Sequence, residues 1–240
     1  MSLGRELRKG LSWLFRDPRE QDRLRKLEMQ TQFLYRYLGL QPGERQYVFD
    51  YSQVSSDHIE RYRFAARHLS KENTVLDAAC GVGYGARLMA EISGASITGL
   101  DISPDAIQVA QRIWSHERVS FRQADCTNTG VAAGSIDCII SFETLEHVPD
   151  GDSLVKHFSE ILRPGGLLLI STPNELLNPH VPERNRFHFR HYTPDQLTAL
   201  LEKFGFRVKS LHCQESSAKG DVLDGVQGRM LIATAVRMED

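Results

Sequence analysis

From residue 74 onward, short apolar runs alternate with segments of helical spacing, and this alternation limits the chain to a sheet with helices packed on it. The spacing predicts strands over Thr74–Asp77, Ser96–Asp101, Val119–Arg122, Ile136–Phe142 and Leu167–Thr172, with closing strands over Phe206–Cys213 and Leu231–Val236. Between them, helices are expected over Gly83–Ile92, Pro104–Trp114, Ser153–Leu162 and Pro194–Phe204. Strands that alternate with helices imply an α/β fold, a doubly wound and mostly parallel seven-stranded sheet. A further helix is expected over Asp57–Leu69, directly before the first strand. Its His58, Arg61 and Tyr62 could reach a ligand, though a solvated face is the expected place for charged side chains there.

The run Val75-Leu76-Asp77-Ala78-Ala79-Cys80-Gly81-Val82-Gly83-Tyr84-Gly85 reads as a buried strand, an acidic residue and a glycine-rich turn opening a helix. Glycines let a backbone approach a ligand closely, and such a turn suits an adenosine-containing cofactor at the C-terminal edge of a parallel sheet. Gly81-x-Gly83-x-x-Ala86 also satisfies the dinucleotide fingerprint, so a nicotinamide cofactor stays open on the glycines alone. Asp77 weighs against it. A carboxylate at the strand end would repel a pyrophosphate and favour a cofactor carrying an ammonium and a sulfonium.

In these residues the chain resembles the class I S-adenosylmethionine-dependent methyltransferases, over about residues 71–213. Ala79 departs from the pattern, standing where a glycine is usual. The resemblance implies cofactor contacts from Asp77, Ala79, Gly81 and Gly83, and from Asp101 and Ile102, where a carboxylate 24 residues after Asp77 can accept from vicinal ribose hydroxyls. It also implies adenine contacts from Asp125 and Cys126, and a contact from Glu143. Leu162-Arg163-Pro164-Gly165-Gly166 matches the family's turn before its fifth strand.

Glu143, Glu146 and His147 stand at i, i+3 and i+4, on one face if a helical turn begins there. This Glu-x-x-Glu-His pattern resembles that of small-RNA 2′-O-methyltransferases and ubiquinone-pathway O-methyltransferases, and implies Mg²⁺ or another divalent cation. A polar insert of about residues 173–193 follows the fifth strand and holds His180, His188 and His191. Asn185–Thr193 resembles a segment of bacterial sugar and cell-surface-glycan methyltransferases, with a His usual at His188 and a Glu at the place of His191. The expected catalytic set is therefore Glu146, His147 and His188, the metal set Glu143, Glu146, His147 and His188, and His191 a surface residue.

The expected function is O-methylation of a hydroxyl on a sugar, glycan or phenolic small molecule. The absence of Asn/Asp-Pro-Pro-Tyr after the fourth strand, where Glu143 stands, argues against amide or exocyclic-amine methylation of the usual kind. Rivals are an N- or carboxyl-methyltransferase, a nicotinamide-dependent oxidoreductase and a non-catalytic cofactor-binding partner subunit. Residues 1–36 carry nine Lys/Arg and five Asp/Glu, net +4, leaving −6 for the rest of a chain of net −2. An acidic body argues against broad phosphate contacts, so nucleic acid is not the expected partner.

The expected division is an N-terminal helical extension, 1–70, and a catalytic domain, 71–240. Leu3, Leu7, Leu11, Leu14 and Phe15 recur at helical spacing with Arg5, Arg8, Lys9 and Arg16 between them. Such a helix docks on the domain or on a second subunit, or rests on an anionic membrane through residues 1–16. A second charged helix is expected over Arg19–Leu40. Four scattered cysteines, no membrane-spanning run and no evident signal peptide lead to the expectation of a cytoplasmic protein, with the inner face of the membrane within reach of that helix.

Overall fold

Apolar side chains on both faces of the first strands force helices onto both sides of the sheet, and the computed structural model shows that arrangement for residues 47–215 and 220–239. Both helices expected within residues 1–40 lie outside the described residues. The described residues belong to one compact unit. The chain runs through α1 (Ser56–Ala66), β1 (Thr74–Ala78), α2 (Tyr84–Ser93), β2 (Ser96–Asp101), α3 (Pro104–Ile113), β3 (Val119–Gln123) and β4 (Ile136–Phe142). It continues through a 3₁₀ turn (Leu145–His147), α4 (Gly151–Ile161), β5 (Leu162–Pro173), α5 (Pro194–Lys203), β6 (Phe206–Gln214), β7 (Leu223–Asp224) and β8 (Met230–Arg237).

The sheet order is β3-β2-β1-β4-β5-β8-β6-β7. The five strands from β3 to β5 are parallel, and β8 slots antiparallel between β5 and β6. The eighth strand, beyond the seven expected, is the two-residue edge piece β7 beside His212 and Cys213. Strand order reverses between β1 and β4, and the C-terminal edge at that reversal is where α/β sheets form a ligand crevice.

Local chemistry sets the element ends. Ser103 caps α3 by accepting from the Ala106 N–H, with Pro104 in the first turn. Thr193 and Gln196 form a reciprocal capping box at the start of α5. Leu154 and Phe158 of α4, and Leu197 and Leu201 of α5, bury against Leu76, Ile139, Leu168 and Ile170 of the sheet. The strand β5 starts five residues earlier than the sequence pattern suggests, because Leu162 pairs with Ile136 through a register shift that absorbs the Pro-Gly-Gly turn.

The insert closes on itself at its base. Glu175 N–H donates to Tyr192 O (3.0 Å), Tyr192 N–H donates to Pro173 O (3.3 Å), and residues 174 and 192 form a parallel bridge. Buried Asn174 donates from Nδ2 to Val226 O (3.0 Å) and Gly228 O (2.9 Å), anchoring this neck to the segment before β8.

Candidate functional site

At the strand-order reversal, β1 delivers Asp77 and a turn of three left-handed residues, Ala79 (φ 62°), Gly81 (φ 56°) and Gly83 (φ 94°). A Cβ at Gly81 would meet nothing within 4 Å, so the backbone there faces open space. Gly85 serves packing instead: a Cβ would fall 2.1 Å from Tyr62 Cζ, and its absence lets α1 approach α2. Asp77 is 1% exposed, and neither carboxylate oxygen has a hydrogen-bond partner. Burial first, and Asp101 second, push its pKa up to about 8, and the nearby Tyr62 hydroxyl offsets this only in part.

Buried Asp101 ends β2 and stiffens the turn, accepting from Gly81 N–H at Oδ2 (3.0 Å) and from Ser103 N–H at Oδ1 (2.8 Å). The next residue, Ile102, is 59% exposed. Exposed Asp125 accepts from Thr127 N–H and Oγ1 at Oδ1, each at 2.8 Å, and so shapes its own turn. Burial, and then the Asp125 charge, push the half-buried Cys126 thiol up to about 12.

Glu143, at φ 50°, follows β4 and donates its N–H to Ser171 Oγ (3.0 Å). Its carboxylate pairs with Arg61 Nη1 and lies 3.2 Å from His58 Nε2. Burial opposes ionisation of Glu143, but Arg61 and His58 outweigh it and hold the carboxyl well below the usual range. Arg61 is buried, correcting the expectation of a solvated face. Its guanidinium donates from Nε to Gln214 Oε1 (2.7 Å), pairs with Glu143 and lies 3.6 Å from Asp57. His58 Nδ1 is 2.7 Å from the Tyr84 hydroxyl. Sequence reasoning noticed Arg61 and His58 without selecting them, since only the fold brings them to Glu143, over 80 residues away.

The 3₁₀ turn after β4 places Glu146 and His147 beside the insert. Glu146, His147 and His188 each offer a ligand atom within 4.8 Å of the other two, while Glu143 stands outside this trio. Glu146 is 1% exposed, its Oε2 has no hydrogen-bond partner, and burial followed by the Glu143 charge pushes its pKa up to about 8. Phe189 N–H donates to Glu146 O (2.7 Å), tying the insert to the turn. His147 Nδ1 lies 3.0 Å from Phe187 O. A carbonyl only accepts, so Nδ1 carries hydrogen. The His147 and His188 rings meet edge to face at 4.6 Å. Burial, then His147 and His191, lower the His188 pKa to about 4, leaving it neutral at physiological pH.

His191 is 3% exposed, which corrects the expectation of a surface residue: Asn178 O and His188 Nδ1 enclose its two ring nitrogens. Among the described residues, no helix is long and apolar enough to cross a membrane.

Residues 51–211 match the family model described as a methyltransferase domain. A probable S-adenosylmethionine-dependent methyltransferase of Mycolicibacterium smegmatis is 36% identical over 59% of this chain and 55% of its own length. The chain spans about half the length of the first curated relatives it matches. The ubiquinone biosynthesis O-methyltransferase of Xanthomonas axonopodis is 36% identical over 57% of this chain and 64% of its own. A chain from the complex between the Haloferax volcanii Trm112 methyltransferase activator and a methyltransferase superposes with a TM-score of 0.66 at 18% identity, over 76% of this chain and 91% of that one.

Proposed function

The chain belongs to the methyltransferase-domain family, and from that premise we propose an S-adenosylmethionine-dependent O-methyltransferase acting on a hydroxyl of a sugar, glycan or phenolic small molecule. The observation that carries the hydroxyl acceptor is the Glu146, His147 and His188 trio beside the crevice. S-adenosylmethionine, when bound, supplies a sulfonium methyl group for in-line displacement. Asp77 supports that cofactor, because two buried carboxylate oxygens without partners call for a positive group. Buried Asp101 ends β2 beside the glycine turn, where a carboxylate suits the hydroxyls of a ribose. Ile102 offers exposed apolar surface to an adenine face. Arg61 and His58 keep Glu143 ionised at the crevice wall.

In this reading residues 173–193 form the acceptor-side insert, and His188 Nε2 takes the hydroxyl proton as the oxygen attacks. The orphaned Glu146 oxygen favours a second reading, in which the same trio holds a divalent cation that lowers the hydroxyl's pKa. Two imidazoles and one carboxylate suit a transition-series ion better than Mg²⁺, which prefers oxygen ligands.

The test is methyl transfer from labelled S-adenosylmethionine to a panel of vicinal-diol sugars, catechols, amines and carboxylic acids. Hydroxyl products are expected, with His188→Ala lowering turnover about 10²-fold or more and leaving calorimetric donor binding intact. Methylation confined to amines or acids would overturn the acceptor assignment. Binding of NADH without binding of S-adenosylmethionine would overturn the cofactor.

A further inference from the structure

His191 Nδ1 lies 2.6 Å from Asn178 O, and a carbonyl oxygen only accepts, so this nitrogen carries hydrogen. The ring is buried among His180, His188 and His147, and its nearest carboxylate oxygen, on Glu175, stands 3.9 Å away. At pH 8, above the ordinary imidazole pKa of about 6.5, the ring is neutral and holds one ring hydrogen. His191 Nε2 therefore presents a lone pair, and it faces His188 Nδ1 at 2.7 Å. Nδ1 of His188 must donate, which spends the single hydrogen of that neutral ring.

We propose that His191 is a positioning residue that fixes His188 in the Nδ1–H tautomer, making Nε2 the nitrogen able to take a proton or bind a cation. Free histidine prefers the opposite tautomer in water, so the assignment needs an acceptor built into the fold. The surrounding backbone holds the ring in place. His180 Nε2 lies 3.0 Å from His188 O, and the neighbouring Phe189 N–H is bound to Glu146 O at 2.7 Å. His147 likewise carries hydrogen on Nδ1, facing Phe187 O. The insert thus sets both imidazoles alike, as second-sphere partners do for working histidines. The functional weight of this assignment rests on the role proposed for His188, whereas the tautomer itself does not.

Long-range ¹H–¹⁵N spectra of the full chain labelled at histidine, in chelated buffer at pH 8, test it directly. His188 should show a pyrrole-type Nδ1 and a pyridine-type Nε2. His191→Gln, whose amide can still accept, should keep that pattern, and His191→Leu should move it towards Nε2–H. In methyl transfer, His191→Leu should lower kcat about 10- to 100-fold with KM for the donor unchanged, and His191→Gln should recover most of it. A pyrrole-type Nε2 in the wild-type protein, readable whether or not the variants fold, would overturn the proposal. So would a His188 pattern unmoved in folded His191→Leu. A moved tautomer with full turnover would uphold His191 as the partner and remove His188 from the reaction.

Discussion

Replacing Asp77 with Asn separates what this carboxylate costs the fold from what it offers a ligand. Its native pKa stands at about 8 against an ordinary 3.8, because burial and Asp101 disfavour the charge. Between those values the native chain holds a proton that the unfolded chain has released. Stability therefore falls as pH rises through that window, by about 1.4 kcal/mol per pH unit through this one group. From pH 5 to pH 7 the loss amounts to about 3 kcal/mol, and below pH 4 it vanishes. Asn does not titrate, so Asp77→Asn should gain about 3 kcal/mol on the wild type over that interval. The Glu146 contribution, of the same sign, stays in both proteins. Urea unfolding at pH 5 and pH 7 measures the difference, and calorimetry should show weaker binding of the methyl donor to the variant. Wild-type and variant stabilities that move in parallel with pH would refute the reasoning.

Three further outcomes follow from geometry. Ala79→Gly relieves a side chain held at φ 62°, and should raise stability in thermal unfolding by about 0.5–1 kcal/mol. Arg61→Met removes the main partner of Glu143 and strands Gln214, so urea unfolding should show a loss of about 3 kcal/mol, with Glu143 titrating nearer its ordinary range. Dialysis against a chelator should abolish turnover, and Mn²⁺ or Co²⁺ should restore it, if a cation occupies the trio; undiminished turnover after chelation would leave His188 as the base.

Strands bounded by local chemistry were legible in sequence. Ser96–Asp101 and Ile136–Phe142 have the expected limits, since each is a short stretch carrying buried apolar residues and follows a glycine-containing turn. The place of β8 between β5 and β6 was not, because an antiparallel insertion depends on which edge is left open rather than on any residue of Met230–Arg237. At the site, the glycine turn and the Glu146-His147 pair could be read from spacing. Burial of Arg61 and His191 could not. A charged residue on a short helix looks solvated until Glu143 and Gln214 arrive from elsewhere in the chain, and a histidine in a polar loop does so until the loop folds Asn178 and His188 around it.

The neck at residues 174 and 192 has a consequence for how such a chain can diversify. Its two ends are hydrogen-bonded to each other and Asn174 is moored to the backbone leading into β8, so the sheet is held at the neck, and what lies between reaches the platform mainly at the turn of Glu146 and His147. A replacement cassette that preserves Asn174, Tyr192 and the helix start at Thr193 should graft without refolding the platform. Chimaeras exchanging that stretch would then alter which molecule is modified while leaving the donor crevice as it was.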